Sequence, residues 1–161
     1  MAVDMFLKIN GIDGESVGHK HKGEIELLSW SWGLSQSASS GGSGGSAGKV
    51  QVQDFTIVKT IDKSSPKLME ACCSGQHIHD ATLTLVNKQT QVEYLKIKMT
   101  DVLISSYQTG GSNAGGAVPM DQVSFSFSQV NVQTADRRGA FSDVTCHFAK
   151  DIILKEQGDD H

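Results

Sequence analysis

The chain has 161 residues, enough for one domain and short for two. A hydrophobic content of 38%, with 17 Gly counted apart, matches a folded globular chain and excludes wholesale disorder. The net charge of −4 lacks the basic excess of a dedicated nucleic-acid binder or a polybasic membrane-surface protein, and no apolar run approaches the roughly 20 residues of a membrane span.

The first residues carry no basic region, apolar stretch or small-residue cleavage site, so synthesis in the cytoplasm without a cleavable signal is expected. They open on a strand, with Val3, Met5, Leu7 and Ile9 alternating with Ala2, Asp4, Lys8 and Asn10. The period of two returns at Ile25 and Leu27, slips by one, and continues through Leu28, Trp30, Trp32 and Leu34. A Gly/Ser stretch, Ser35 to Gly48, follows as a long loop. Further strands are predicted over Val50 to Lys59, Ala81 to Asn87, Asp101 to Tyr107 and Asp143 to Ile153. Two more alternating runs also slip: Val92 and Tyr94 pass to Leu95, Ile97 and Met99, and Val123, Phe125 and Phe127 pass to Val130 and Val132. Such slips mark bulges or bends, and long curling strands are what a barrel requires.

Ser64 to Gly75 reads as a short helix: a Ser to cap its start, Pro66 in the first turn, and Gly75 to stop it. The second Gly/Ser stretch, Thr109 to Gly116, is another loop inside the same domain. The fold class that results is mainly β: a small β-barrel of two sheets with one short lateral helix, a single domain over residues 1–156, and a disordered tail over 157–161.

Little in the sequence points to catalysis. Gly41-Gly42-Ser43-Gly44-Gly45 spells the G-x-S-x-G pattern, but no strand leads into it and no helix follows, so the nucleophile elbow is missing. The same run approximates a dinucleotide fingerprint and fails for want of a helix N-terminus. His19 and His21, and His77 and His79, stand two apart and would share a strand face. Lys20 and Lys22 oppose a cation at the first pair, and no third ligand has suitable spacing at the second, so neither a metal nor a cofactor is expected. Cys72, Cys73 and Cys146 are odd in number and two are adjacent, which favours buried free thiols.

The strongest local signal is Trp30-Ser31-Trp32. The indoles would face the core and leave Ser29, Ser31 and Gly33 as a small polar strip outside. Ser124, Ser126 and Ser128 form a second strip opposite Val123, Phe125 and Phe127. A soluble monomer would place Lys and Glu there, so such a face suits contact with another protein or a lumen.

Several ordered motifs carry a resemblance. They are Asp4-Met5-Phe6-Leu7-Lys8-Ile9 with Gly11-Ile12 and Gly14-Glu15-Ser16; His21 with Ile25-Glu26-Leu27 and Ser29-Trp30-Ser31-Trp32-Gly33; and Gly48-Lys49-Val50 with Asp54-Phe55. They continue through Lys59, Ile61-Asp62-Lys63-Ser64-Ser65-Pro66, Ala71-Cys72 and Gly75, then Glu93-Tyr94-Leu95 and Val102-Leu103-Ile104-Ser105-Ser106. In these the chain resembles the Hcp proteins, tube subunits of bacterial type VI secretion systems. It departs from the family pattern at Thr134 to Gly139 and at Phe148-Ala149-Lys150. The resemblance implies hexameric rings that stack into a tube inside a contractile sheath, carry a spike, hold effector proteins in the lumen, and leave the cell with them. It implies no enzyme activity. Ser31, with Ser29 and Gly33, would face the lumen. The loop residues Ser40, Gly41, Gly42, Ser43, Gly44, Gly45 and Ser46 would make the ring-stacking contact. The alternative left by the residues alone is a monomeric, lipocalin-like barrel that binds a small ligand in an apolar interior.

Overall fold

The computed structural model describes residues 2–18, 20–38, 47–113, 118–135 and 140–148. The strands are β1 (Val3–Ile9), β2 (Ile25–Glu26), β3 (Ser29–Ser31), β4 (Leu34–Ala38), β5 (Ala47–Val52) and β6 (Phe55–Thr60). The helix α1 (Ser65–Ser74) follows, and then β7 (His77–Asn87), β8 (Glu93–Gly110), β9 (Met120–Ser126), β10 (Gln129–Ala135) and β11 (Phe141–His147). Residues 40–46, assigned above to ring stacking, residues 114–116 of the second loop, and everything from 149 onward, the tail over 157–161 included, lie outside the described residues.

The phase slips have physical explanations. β2 pairs with β1, Leu7 opposite Ile25, whereas β3 pairs with β6, Trp30 opposite Ile57. Between them the Leu27 amide donates to the Met5 carbonyl at 3.0 Å and the Leu28 amide to the Val58 carbonyl at 2.7 Å. One continuous segment therefore leaves β1 and joins β6. It closes the path β1-β7-β8-β9-β6 into a ring, and the slip between Leu27 and Leu28 is the change of partner. At the second slip, Leu85 pairs with Leu95 and Val86 with Glu93, so Tyr94 is the extra residue of a bulge. The third is no bulge: β9 ends at Ser126, and the chain steps across to begin β10.

Several predicted elements differ from those observed: the loop from Ser35 to Gly48 is strand at both ends, in β4 and β5, the strand from Ala81 begins at His77, and the strand from Asp143 ends at His147. The Val50 to Lys59 run splits at Gln53 and Asp54: β5 joins β4 in a separate two-stranded sheet, while β6 enters the barrel. The runs before and after Asp101 form one strand of 18 residues, because Asp101, at φ 58°, turns the backbone without ending the ladder. That turn marks where β8 exchanges β10, paired to residues 95–100, for β9, paired from Leu103 onward.

The inward positions form one core. Leu7, Ile57, Leu83, Met99, Val102, Val123 and Phe125 have no exposed surface, and they occupy the interior that a ligand-binding barrel would leave open. Trp30 stacks on Phe55 at 5.7 Å, and Trp32 packs against Phe127 and Phe148. Helix α1 buries Leu68 and Ala71 on its inner side and ends at Gly75, whose φ of 67° is open to glycine without strain. Its start departs from expectation: Ser64 makes no capping bond with its side chain, and Asp62 accepts from the Ser64 amide at 2.8 Å instead. The thiols are free, but Cys73 is exposed and Cys72 and Cys146 are half-buried, because the outer side of α1 and the edge strand β11 leave them uncovered.

Candidate functional site: an uncharged sheet face

Strand alternation sends Phe55, Ile57 and Lys59 of β6 inward and Thr56, Val58 and Thr60 outward. The registers of β3, β6, β9 and the second half of β8 then fix what lies side by side. Ser31 is opposite Thr56, Thr56 opposite Ser124, and Ser124 opposite Ser106. The next row runs Ser29, Val58, Gln122 and Gln108. The first row is thus four hydroxyl side chains across four strands, and Thr56 Oγ1 and Ser124 Oγ lie 3.0 Å apart. Neither row holds a Lys, Arg, Asp or Glu.

Ser29 and Ser31 of one strip and Ser124 of the other, read from sequence as separate features, share one sheet face through β6, with Ser124 itself buried and Ser126 opposite Leu103. Ser29 and Ser31 are exposed on it. Gly33 lies beyond the end of β3, half-buried, and its carbonyl accepts from the Gln53 amide at 3.0 Å. Ser128 lies beyond the end of β9 and is buried, with its amide donating to the Thr100 carbonyl. Both leave the strip because the chain turns out of the strand just before them.

The sheet of β1, β7, the first half of β8, and β10 contrasts with it. Its outward row is Lys8, Thr82, Lys98 and Asn131, with Thr84, Lys96 and Gln133 beside it. Charge is therefore not scarce in the chain; it is kept off these two rows, with Asp54, which accepts from Ser105 at 2.6 Å, at their edge. His77 and His79 sit exposed on β7 and engage carboxylates, Asp101 at 2.8 Å and Asp80 at 3.1 Å. Among the described residues no three His, Cys, Asp or Glu groups gather as a metal site would need. His19 lies outside the described residues.

A second polar cluster lies beneath α1. Lys59 Nζ donates to Ser65 Oγ at 3.1 Å and pairs with Asp121 Oδ2 at 3.1 Å and Asp62 Oδ1 at 3.0 Å, and both Lys59 and Asp121 are fully buried. Tyr107 donates to Asp121 Oδ1 at 2.8 Å. Burial pushes the Asp121 carboxyl up, but hydrogen bonds from Ser65, Tyr107, Thr109 and Lys59 outweigh it and hold the group below the ordinary carboxylate range. Burial, reinforced by the Asp121 hydrogen bond and charge, raises the Tyr107 phenol. Ser65 beside a lysine is no catalytic dyad here: the three lysine N–H donors have three acceptors, and water does not reach them. The cluster fastens the start of α1 to β6 and β9. Its sequence signal was a charged residue in the inward phase of each of two strands, Phe55-Ile57-Lys59 and Asp121-Val123-Phe125.

Comparison with known proteins agrees with this architecture. The family model described as "Type VI secretion system effector, Hcp" matches residues 6–133. The chain belongs to the Hcp family. It is 50% identical to protein hcp1 of Pseudomonas aeruginosa over 135 residues, 82% of this chain and 83% of that one. The crystal structure of Hcp1 from Salmonella typhimurium superposes with a TM-score of 0.81 at 40% identity, covering 92% of this chain and 96% of the other. A type VI secretion system effector from Yersinia pestis gives 0.75 at 33% identity, covering 89% and 99%. The match to the Hcp model thus takes in the whole uncharged face, from Ser29 to Gln122 and Ser124.

Proposed function

We propose that six copies of this chain close into a ring, and that rings stack into the tube of a type VI secretion machine. The face around Ser29 and Ser31, with Gly33 at its edge, lines the bore and holds effector proteins until the tube is expelled. The observation that carries this reading is the absence of charge from the two rows spanning β3, β6, β9 and β8. A solvent-facing sheet gains solubility from Lys and Glu. A bore that must pass differing proteins instead gains from side chains that hydrogen-bond either way and set no fixed field. The partners are further copies of the chain, effectors, and the sheath and spike of the machine. The chain waits in the cytoplasm and leaves by that machine. The glycine- and serine-rich residues 40–46 supply the contact between rings, and deleting them is expected to leave rings intact while abolishing stacking.

The experiment is molar mass by light scattering with negative-stain imaging of the purified protein. Six-fold rings with an open centre are the expected result. A compact monomer at every concentration would overturn the reading.

A further inference from the structure

Residues 10–24 connect β1 to β2, the first part of the segment that closes the barrel. The connection is hydrogen-bonded to itself: Gly14 N donates to Gly23 O at 2.8 Å, Gly23 N to Ser16 O at 2.8 Å, and Ser16 N to Glu24 O at 2.9 Å. His21 ties it to the rest of the molecule. Its ring stacks on Phe6 with centroids 4.6 Å apart and planes 10° from parallel. Nδ1 lies 3.0 Å from both carboxylate oxygens of Glu24, and Nε2 lies 2.9 Å from Glu93 Oε2 at the start of β8. The side chain is 11% exposed, and that of Glu93 31%.

Ionised carboxylates accept hydrogen bonds and cannot donate them. Both ring nitrogens therefore have to donate, and an imidazole does so only while it carries its second proton. With one proton, a nitrogen lone pair faces a carboxylate oxygen at hydrogen-bond distance, which is repulsive. The other charged groups around the site are Asp4 and Lys8 of β1, Lys20 of the connection, Asp80 of β7, and Lys96 and Lys98 of β8. Asp4 pairs with Lys88 at 3.5 Å, Glu93 with Lys96 at 3.7 Å, and Asp80 with Lys98 at 4.0 Å. Glu24 and Glu93 are the two carboxylates in contact with the ring.

We propose that His21 is a proton-dependent clasp. Doubly protonated, it bridges Glu24 to Glu93 and pins the connection, and with it the closing segment that carries Ser29 and Ser31. Losing one proton frees one end. The bridge holds toward acid and is lost as pH rises.

The test is hydrogen exchange of the backbone amides of residues 13–24 by mass spectrometry. The assembled protein and His21→Gln are compared at about pH 6 and about pH 8.5. Comparison at equal pH cancels intrinsic exchange, and His19 is present in both. The expected result is protection about tenfold greater in the unmodified protein at the lower pH, the size of a lost charged hydrogen bond, with the two coinciding at the higher. A gap of the same size at both pH values, or none at either, overturns the clasp. Glu93→Gln carries the test if His21→Gln does not fold. Its amide can meet either state of the ring, so the pH dependence is expected to vanish, and its persistence would overturn the proposal.

Discussion

Lys59 and Asp121 show how much depends on two side chains at inward strand positions. Removing the Asp121 charge leaves buried Lys59 with Asp62 as its one remaining carboxylate and takes the charged acceptor from Tyr107, at a cost of up to about 3–5 kcal/mol. Asp121→Asn is therefore expected to lower the urea midpoint sharply. Replacing both, with Lys59→Met and Asp121→Leu, should lose less, because no fully buried charge remains and Asp62, 13% exposed, can turn to water. The pH dependence has a definite sign. The native Asp121 carboxyl titrates below its unfolded counterpart, so its contribution is complete above the unfolded value of about 3.9 and disappears as pH falls through the lower native one. Tyr107 acts at the other end: its native phenol titrates above the unfolded value of about 10, so stability is lost as pH rises beyond that point. Denaturation across pH should show a steep acid limb in the unmodified protein and a flattened one in Asp121→Asn. The alternation of β6 and β9 already placed both charges inward. Their meeting under α1 was not legible, since it depends on a register between residues 62 positions apart.

Local order was readable at the scale of elements wherever one run of residues decides it. The alternation of β1 and β6, Pro66 and Gly75 around α1, and the three slips all lie in the sequence. What each slip meant was not, because a one-residue offset looks the same for a bulge at Tyr94, a change of partner at Leu27–Leu28, and a strand end at Phe127. Only long-range pairing tells them apart. The connection before β2 offers a check at this scale. A Cβ on Gly14 would stand 2.6 Å from the Glu24 carbonyl oxygen and 2.7 Å from Ile25 Cα, both backbone atoms that cannot swing aside. Gly14→Ala is expected to cost about 1–3 kcal/mol, read as a lower thermal midpoint, by pushing the closing segment off β1. An unchanged midpoint would mean that the segment is held without this close approach.

At the scale of the molecule, a sheet with charged outward rows contrasts with two rows that carry no charge. The sequence showed the serine strips of β3 and β9 and a strand over Val50 to Lys59, but not that this strand lies between them, and Thr56 looks ordinary until β6 is seen to join the two. The functional expectation that follows is independence from salt. An effector held by hydroxyl and amide groups should co-purify equally at about 50 mM and about 500 mM salt, since screening acts on charges alone. Ser31→Glu would bring a carboxylate into the face, once per subunit of the ring. Retention of an acidic effector should then fall and become sensitive to salt. A strong salt dependence in the unmodified protein would count against the bore assignment.

The closing segment has a mechanical consequence as well. Every hydrogen-bonded wall of the barrel has a seam length, and the seams differ widely. β1 and β7 are zipped over seven residue pairs, whereas β2 grips β1 through two and β3 grips β6 through three. Under load along this segment the barrel is expected to open first at residues 25–31, by peeling one short ribbon away from two long walls.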